Sequence, residues 1–198
     1  MKLKEMVLKN RSYRRFYQDV EIPTSDLREF VDLARLSPSP RNRQALKFII
    51  ENRPEHNAYI FEQLAWAAAL PNWSGPDEGE RPSAYIIILG DNSLDPPVTN
   101  AFHEAAYGIA AQTILLAATE KGFGGCMIAA IKRKAVQEHY NIDQHLQILL
   151  VIALGKPKEE VELYEIEQNE SYNYSRDEKG THHVPKRRLD DIIVKTNL

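Results

Sequence analysis

The stretch Asn10-Arg11-Ser12-Tyr13-Arg14-Arg15-Phe16 sets three arginines, a serine and two aromatics into seven positions with no acid among them. Two further basic groups lie far along the chain, Arg41 with Arg43 and Lys186-Arg187-Arg188. A guanidinium fork matches the geometry of phosphate oxygens, and a serine hydroxyl adds a short donor. A phosphomonoester carries roughly −1.5 to −2 charges near neutral pH, so two or three convergent cations complement it. Each group alone is also what a solvated face looks like, and spacing does not bring residues 11–14 to residues 186–188. A phosphate site and three solvated patches therefore both stay open on the residues alone.

The background against which these cations stand is acidic. The 198 residues carry a net charge of −3, which argues against a general nucleic-acid or membrane-surface binder, so a basic site must be local. Apolar residues at 43% and charged residues at 27% are an ordinary globular balance. Cys126 is the sole cysteine, which excludes an intrachain disulfide and a cysteine-based zinc site. The start MKLKEMVLKN lacks the apolar stretch of a signal peptide, and the uncharged run from Ala105 to Thr119 is too short to span a bilayer. A cytoplasmic protein is expected.

Other chemistries lack their signatures. There is no phosphate-cradling Gly-x-x-x-x-Gly-Lys loop, and Gly122 and Gly124 of GFGGCM are followed by Met127 where a dinucleotide fingerprint needs glycine. His103 has no second histidine at zincin spacing, and His182-His183 reads as a surface-loop pair with poor geometry for one metal. No Gly-x-Ser-x-Gly elbow is present.

The elements that must position the cations follow from periodicity. Leu3, Met6 and Val7 share a helical face that stops at Asn10. PTSDLREFVDLARL reads as a helix capped by Thr24 or Ser25, with Leu27, Phe30, Val31 and Ala34 as its buried stripe. LKFIIE, AYIIILG and QILLVIALGKP read as strands, residues 55–69 as a helix, and KRKAVQEHYN as a short helix. The helix beginning at Asn100 carries no charge from Ala105 to Thr119, so protein should cover it on all sides. A homodimer interface does this naturally; a central helix of a monomer is the alternative. Residues 158–183 are polar with no apolar period. The mixture points to α+β, one sheet covered by helices.

Four segments in register carry more than any of them alone: NRSYRRF, LARLSPSPRNRQALKF, GIAAQTILLAATEKGFGGCMI and VPKRRLDDIIV, with VIALGKP between the last two. Together they make the chain resemble the nitroreductase family of FMN-dependent NAD(P)H oxidoreductases, most weakly over residues 52–82. The resemblance implies a single domain over 1–198 with a central, mostly antiparallel sheet flanked by helices. It also implies an intertwined homodimer whose C-terminal extension, from about 160 to 198, contacts the other subunit. By motif, Arg11 and Ser12 would hold the FMN phosphate and ribityl chain, and Arg14 would approach the pyrimidine side of the flavin. Asn10 stands where the family usually has arginine. Pro38, Ser39 and Asn42 would reach the flavin of the other subunit, with Ala45 in place of a common proline. The backbone of Ile128 and Ala129 would lie over the flavin edge with Ala130 beside it, and Lys186 and Arg188 would bind phosphate. Arg15 is read as solvated and Phe16 as core.

The activity so implied is ping-pong transfer of hydride from NADH or NADPH, through FMN, to nitroaromatic, quinone or related small-molecule acceptors, with no metal. Arg14 would stabilise the charge that develops on the reduced flavin. A dehalogenating or flavin-fragmenting relative, and a flavin store or sensor with little turnover, stay open as alternatives. The 66–83 loop around Trp73 reads equally as a lid or as a surface loop anchored by tryptophan packing, and Tyr107 and Phe102 read as core.

Overall fold

Ala84–Leu89 is an unbroken apolar run rich in β-branched residues, and such a run suits a strand covered on both faces. In the computed structural model it is the centre of a sheet and every residue in it is buried. The structure describes residues 1–67, 70 and 73–195. Their elements in chain order are α1 (Leu3–Lys9), β1 (Phe16–Tyr17), α2 (Thr24–Leu36), a 3-10 turn (Pro40–Asn42), β2 (Leu46–Glu51), α3 (Pro54–Glu62), β3 (Ala84–Asp91), α4 (Asn100–Glu120), β4 (Gly124–Ile128), α5 (Arg133–His139), β5 (Leu146–Pro157), β6 (Val161–Ile166), β7 (Ser175–Arg176), β8 (His182–Arg187) and α6 (Leu189–Ile192).

These elements form two compact units, one of Met1–Trp66 with Ser74–Lys158 and one of Ala67–Trp73 with Glu159–Leu198. The first unit holds an antiparallel sheet in the order β1-β5-β3-β2, with β4 also paired to β5. Ala84, Ile86 and Ile88 of β3 and Leu150, Ile152 and Leu154 of β5 present one face to Leu27, Phe30 and Ala34 of α2 and Ala110, Ala111, Ile114 and Ala118 of α4. Alternate residues Tyr85, Ile87, Val151 and Ala153 are buried as well, so the central strands show no polar alternation.

The α4 helix opens at Thr99, whose hydroxyl caps the Phe102 amide. Within this chain its Ala105, Ile109 and Gln112 positions are exposed, a charge-free strip along one side. The α1 face is likewise open, with Leu3 68% and Val7 43% exposed. Among the described residues no helix is long and apolar enough to cross a membrane.

Several expectations need correction. The α2 helix has Pro23 as its N-cap residue and no side-chain cap, because proline's fixed φ already sets the entry to the first turn. The helix expected over 55–69 ends at Glu62; Gln63, Leu64 and Ala65 instead pair in extended form with Lys132, Ile131 and Ala130. Residues 68, 69, 71 and 72 of the expected loop lie outside the described residues. Trp66 is buried beside Phe61, and a Cβ on Gly75 (φ +118) would sit 2.9 Å from the Trp66 ring.

In the second unit, the segment expected to lack periodic structure forms a sheet. Strand β6 runs parallel to β8, and β7 pairs antiparallel with the start of β8. His182 and His183 are therefore strand residues rather than a surface-loop pair. His182 is buried, while His183 contacts Asp177 at 3.0 Å. Arg176 pairs with the fully buried Glu159 carboxylate at 2.6 Å and stacks over Trp73 at 4.7 Å.

Candidate functional site

The basic heptapeptide is held by its backbone, which leaves side chains for other work. Helix α1 stops at Asn10, a buried C-cap in extended conformation, and the chain then runs alongside β4. Ser12 forms a parallel bridge with Gly125, and the Tyr13 amide donates to the Gly125 carbonyl at 3.1 Å. This approach explains the paired glycines. A Cβ on Gly124 would sit 2.5 Å from the Tyr13 ring, and one on Gly125 would sit 2.2 Å from the Ala153 carbonyl oxygen. The incomplete dinucleotide motif of the sequence involves Gly122 and Gly124; the need of Gly124 and Gly125 for bare backbone is set by partner strands distant in sequence.

The three arginines have different fates. Arg11 donates through Nη2 to the Val7 carbonyl at 2.7 Å, while its Nε is buried with no acceptor. Burial lowers the pKa of its guanidinium from the ordinary value, with the Tyr13 phenol pulling the other way. Arg14 reaches the Ser12 carbonyl at 3.3 Å. Arg15, expected to be solvated, instead forms a two-pronged pair with Glu80, one prong at 2.8 Å, and Lys158 joins the same carboxylate at 2.9 Å. Sixty-five residues separate Arg15 from Glu80, so no local pattern announced the pair. Phe16 is fully buried, as expected.

At its far end β4 leaves β5 after the pair Ile128↔Val151. Ile128 is buried, whereas Ala129 and Ala130 are exposed. Their carbonyls are occupied, Ala129 by Arg133 Nη2 at 3.2 Å and Ala130 by the Ala65 amide at 3.0 Å. Their two amides make no hydrogen bond among the described residues. One strand thus carries, at one end, the basic segment with the exposed Ser12 and, at the other, two consecutive unpaired donors.

The second motif sits against α4. Ser37 Oγ meets Thr113 Oγ1 at 3.0 Å, Ser39 Oγ accepts from the Gln44 amide, and Arg41, Asn42 and Gln44 adopt positive φ. Pro38 and Ser39 line a cavity of about 150 Å³ with Phe48, Ala106 and the exposed Ile109. Asn42 closes the 3-10 turn, and its amide donates to the Ser39 carbonyl at 2.9 Å. Phe102 lies under the Arg41 guanidinium, and Tyr107 packs against the core. In the second unit Lys186 is exposed at the end of β8, while Arg188 is held by Glu167 at 2.9 Å and Asp191 at 3.2 Å. No group of metal-ligating side chains occurs among the described residues.

The model of the nitroreductase family matches residues 7–156, from within α1 to the end of β5. The chain belongs to the nitroreductase family. A relative from Archaeoglobus fulgidus, named as a candidate NADH dehydrogenase/NAD(P)H nitroreductase, is 28% identical over 165 residues, covering 81% of this chain and 88% of its own. The solved nitroreductase family protein from Clostridium novyi NT superposes with a TM-score of 0.67 at 25% identity, over 80% of this chain and 86% of the other. The family protein from Streptococcus pneumoniae TIGR4 shares the fold over 98% of this chain and 100% of its own, with a TM-score of 0.71 at 19% identity. A structure from Clostridium difficile R20291 described as an FMN-dependent nitroreductase gives a TM-score of 0.64 at 22% identity, over 80% and 89% of the two chains. The nitroreductase match ends before Lys186 and Arg188, so those two residues rest on their local motif.

Proposed function

We propose that the protein is an FMN-dependent NAD(P)H oxidoreductase. The observation that carries this reading is the joining of Ser12 to Gly125, which sets a basic, serine-bearing segment on the strand that ends in the unpaired Ala129 and Ala130 amides. The residues present fit the cofactor: a buried arginine N–H without an acceptor, an exposed hydroxyl, and two backbone donors at a strand end. Arg11 and Ser12 hold the phosphate and ribityl chain, and Arg14 places a cation by the pyrimidine edge. The backbone of Ile128 and Ala129 would lie over the flavin edge with Ala130 beside it. FMN held there would supply the redox chemistry, hydride transfer from NADH or NADPH to a nitroaromatic or quinone acceptor in ping-pong fashion. In the second unit, Lys186 and Arg188 match a phosphate-binding Lys-x-Arg motif, and Arg188 would have to loosen its hold on Glu167 or Asp191 to use it.

A homodimer belongs to the same reading. The charge-free strip of α4 and the open apolar face of α1 are surfaces that a second copy would cover. Pro38, Ser39 and Asn42, beside that strip, would then serve the flavin bound by the second copy. What supports the reductant is the name of the Archaeoglobus relative, and what supports FMN is that of the Clostridium difficile structure.

The test is a visible spectrum of the purified protein, repeated after anaerobic addition of NADH or NADPH. A yellow protein that releases FMN on heating and bleaches with a nicotinamide is expected. A colourless protein that takes up no added FMN overturns the proposal, and binding without bleaching replaces the reductase by a flavin store.

A further inference from the structure

A cavity of about 210 Å³ in the first unit is bounded by the 18–21 segment, the start of α3 and the residues leading into β3. Three of the side chains that line it, Asn57, Arg81 and Ser83, carry buried polar atoms with no hydrogen bond. Asn57 is only 8% exposed and Ser83 only 7%. The Asn57 Nδ2 donates to the Ser83 carbonyl at 2.8 Å, which fixes the side-chain amide and turns its Oδ1 away from that carbonyl. There the Oδ1 is buried and accepts nothing, and the Ser83 hydroxyl and the Arg81 Nε are buried and equally unmet among the described residues. Buried polar atoms are rarely left alone, so three on one cavity call for an occupant that brings both a donor and an acceptor.

The charges on the cavity walls make the same demand. The Arg81 guanidinium lies over the Phe61 ring at 4.3 Å, and no carboxylate pairs with it among the described residues. Asp19 and Glu21, both exposed, line the same cavity and pair with no cation among the described residues. Gln18 ties the two sides together, since its Oε1 accepts from the Arg81 amide at 3.1 Å and the Gly79 amide at 2.8 Å. Opposite charges are thus held on one cavity without neutralising each other.

We propose that this cavity binds a small zwitterion, an α-amino acid. Arg81 and the Ser83 hydroxyl take its carboxylate; the Asn57 Oδ1, Asp19 and Glu21 take its ammonium. A guanidinium fork matches a carboxylate, and the uncapped first turn of α3 adds the positive end of a helix dipole. A simple anion would suit Arg81 but face two carboxylates, and a simple cation would meet the reverse conflict, so a ligand carrying both charges is favoured over either. Pockets for drug-sized ligands span roughly 300–1,000 Å³, so this smaller space suits glycine or alanine rather than an aromatic amino acid or a nucleotide. None of these side chains takes part in the proposed flavin site, and FMN binding is not needed for the test.

The experiment titrates glycine, acetate and methylammonium separately into the purified protein. Binding is read by calorimetry and by the NMR shift of the Asn57 side-chain amide. Saturable millimolar binding of glycine is expected, about tenfold tighter than either half-ligand. Arg81→Gln is expected to weaken glycine about tenfold, and Ser83→Ala severalfold. Glu21→Gln should weaken glycine and methylammonium while acetate binds no less well. Ser83→Ala and Glu21→Gln remove groups that make no hydrogen bond among the described residues, so they decide the matter if Arg81→Gln fails to fold. The absence of saturable binding by all three compounds overturns the proposal and leaves a cavity filled by water. Acetate binding as tightly as glycine overturns it as well, because an anion alone would then suffice. So does glycine binding that is equal in wild type and in every variant, which would place the amino acid elsewhere.

Discussion

Two polar clusters in the first unit make an instructive pair. At the end of β2, the buried Glu51 carboxylate accepts from the Arg53 amide at 3.1 Å, from Arg53 Nε and Nη2 at 2.9 and 2.7 Å, and from the Tyr140 hydroxyl at 3.2 Å. His56 lies 3.5 Å from the same carboxylate and 3.1 Å from His139, which stacks on Tyr59. A carboxylate offers about four acceptor positions, and here four donors fill them. Along β4 the balance is reversed. The Arg11 Nε, the Ser12 hydroxyl and the amides of Ala129 and Ala130 are donors that meet no acceptor among the described residues. Both regions would score as polar and partly buried, yet one satisfies itself and the other does not. Residual donor capacity, rather than the density of charge, separates a ligand site from a structural network.

That contrast can be broken at either end. The largest effect is expected from Gly125→Ala, because the new Cβ would meet the Ala153 carbonyl oxygen at 2.2 Å and force β4 from β5. A loss of about 3 kcal/mol or more in denaturant unfolding should accompany loss of FMN binding. Next, Glu51→Ala should cost about 2 kcal/mol in the same assay by orphaning the donors of Arg53 and Tyr140, while FMN affinity stays within twofold of wild type. The mirror-image result is expected for Arg14→Ala. FMN should bind about tenfold more weakly, with a lower flavin potential and an unfolding midpoint close to that of wild type. If Arg14→Ala instead lowers stability as much as Glu51→Ala, the distinction between the two regions collapses.

The smallest effect is the sharpest in pH. Burial raises the pKa of Glu51, but the Arg53 and Tyr140 hydrogen bonds and the Arg53 charge outweigh it and bring it from an ordinary 4.5 to about 2. A depressed carboxylate contributes stability in full above its unfolded pKa and loses it as pH falls through the folded value. Wild-type stability should therefore decline between pH 4.5 and about 2, and Glu51→Gln should flatten that part of the profile in acid unfolding titrations.

The sequence made the first unit far more legible than the second. The β3 and β5 strands and the α4 helix all followed from long apolar runs whose partners hardly matter. Strand β8 did not, because its sequence HHVPKR contains Pro185, which argues against an interior strand. The structure resolves this, since β7 reaches His182 and His183 alone and leaves β8 an edge at Pro185. Of the site, the Arg-Ser-x-Arg motif was legible as a string, whereas the Arg15–Glu80 pair and the Arg133 contact with the Ile148 carbonyl depend on partners that no spacing encodes.

The docking of the N-terminal segment has a consequence for the order in which the protein can be made. Phe16 pairs with Pro157, Ser12 with Gly125, and Arg15 shares Glu80 with Lys158. Apart from Glu80, these partners leave the ribosome more than a hundred residues later. Contacts of such long sequence separation form late and at high loop-closure cost. The proposed cofactor pocket therefore cannot assemble on a nascent chain shorter than about the first unit, and FMN has nothing complete to bind until synthesis has passed Lys158.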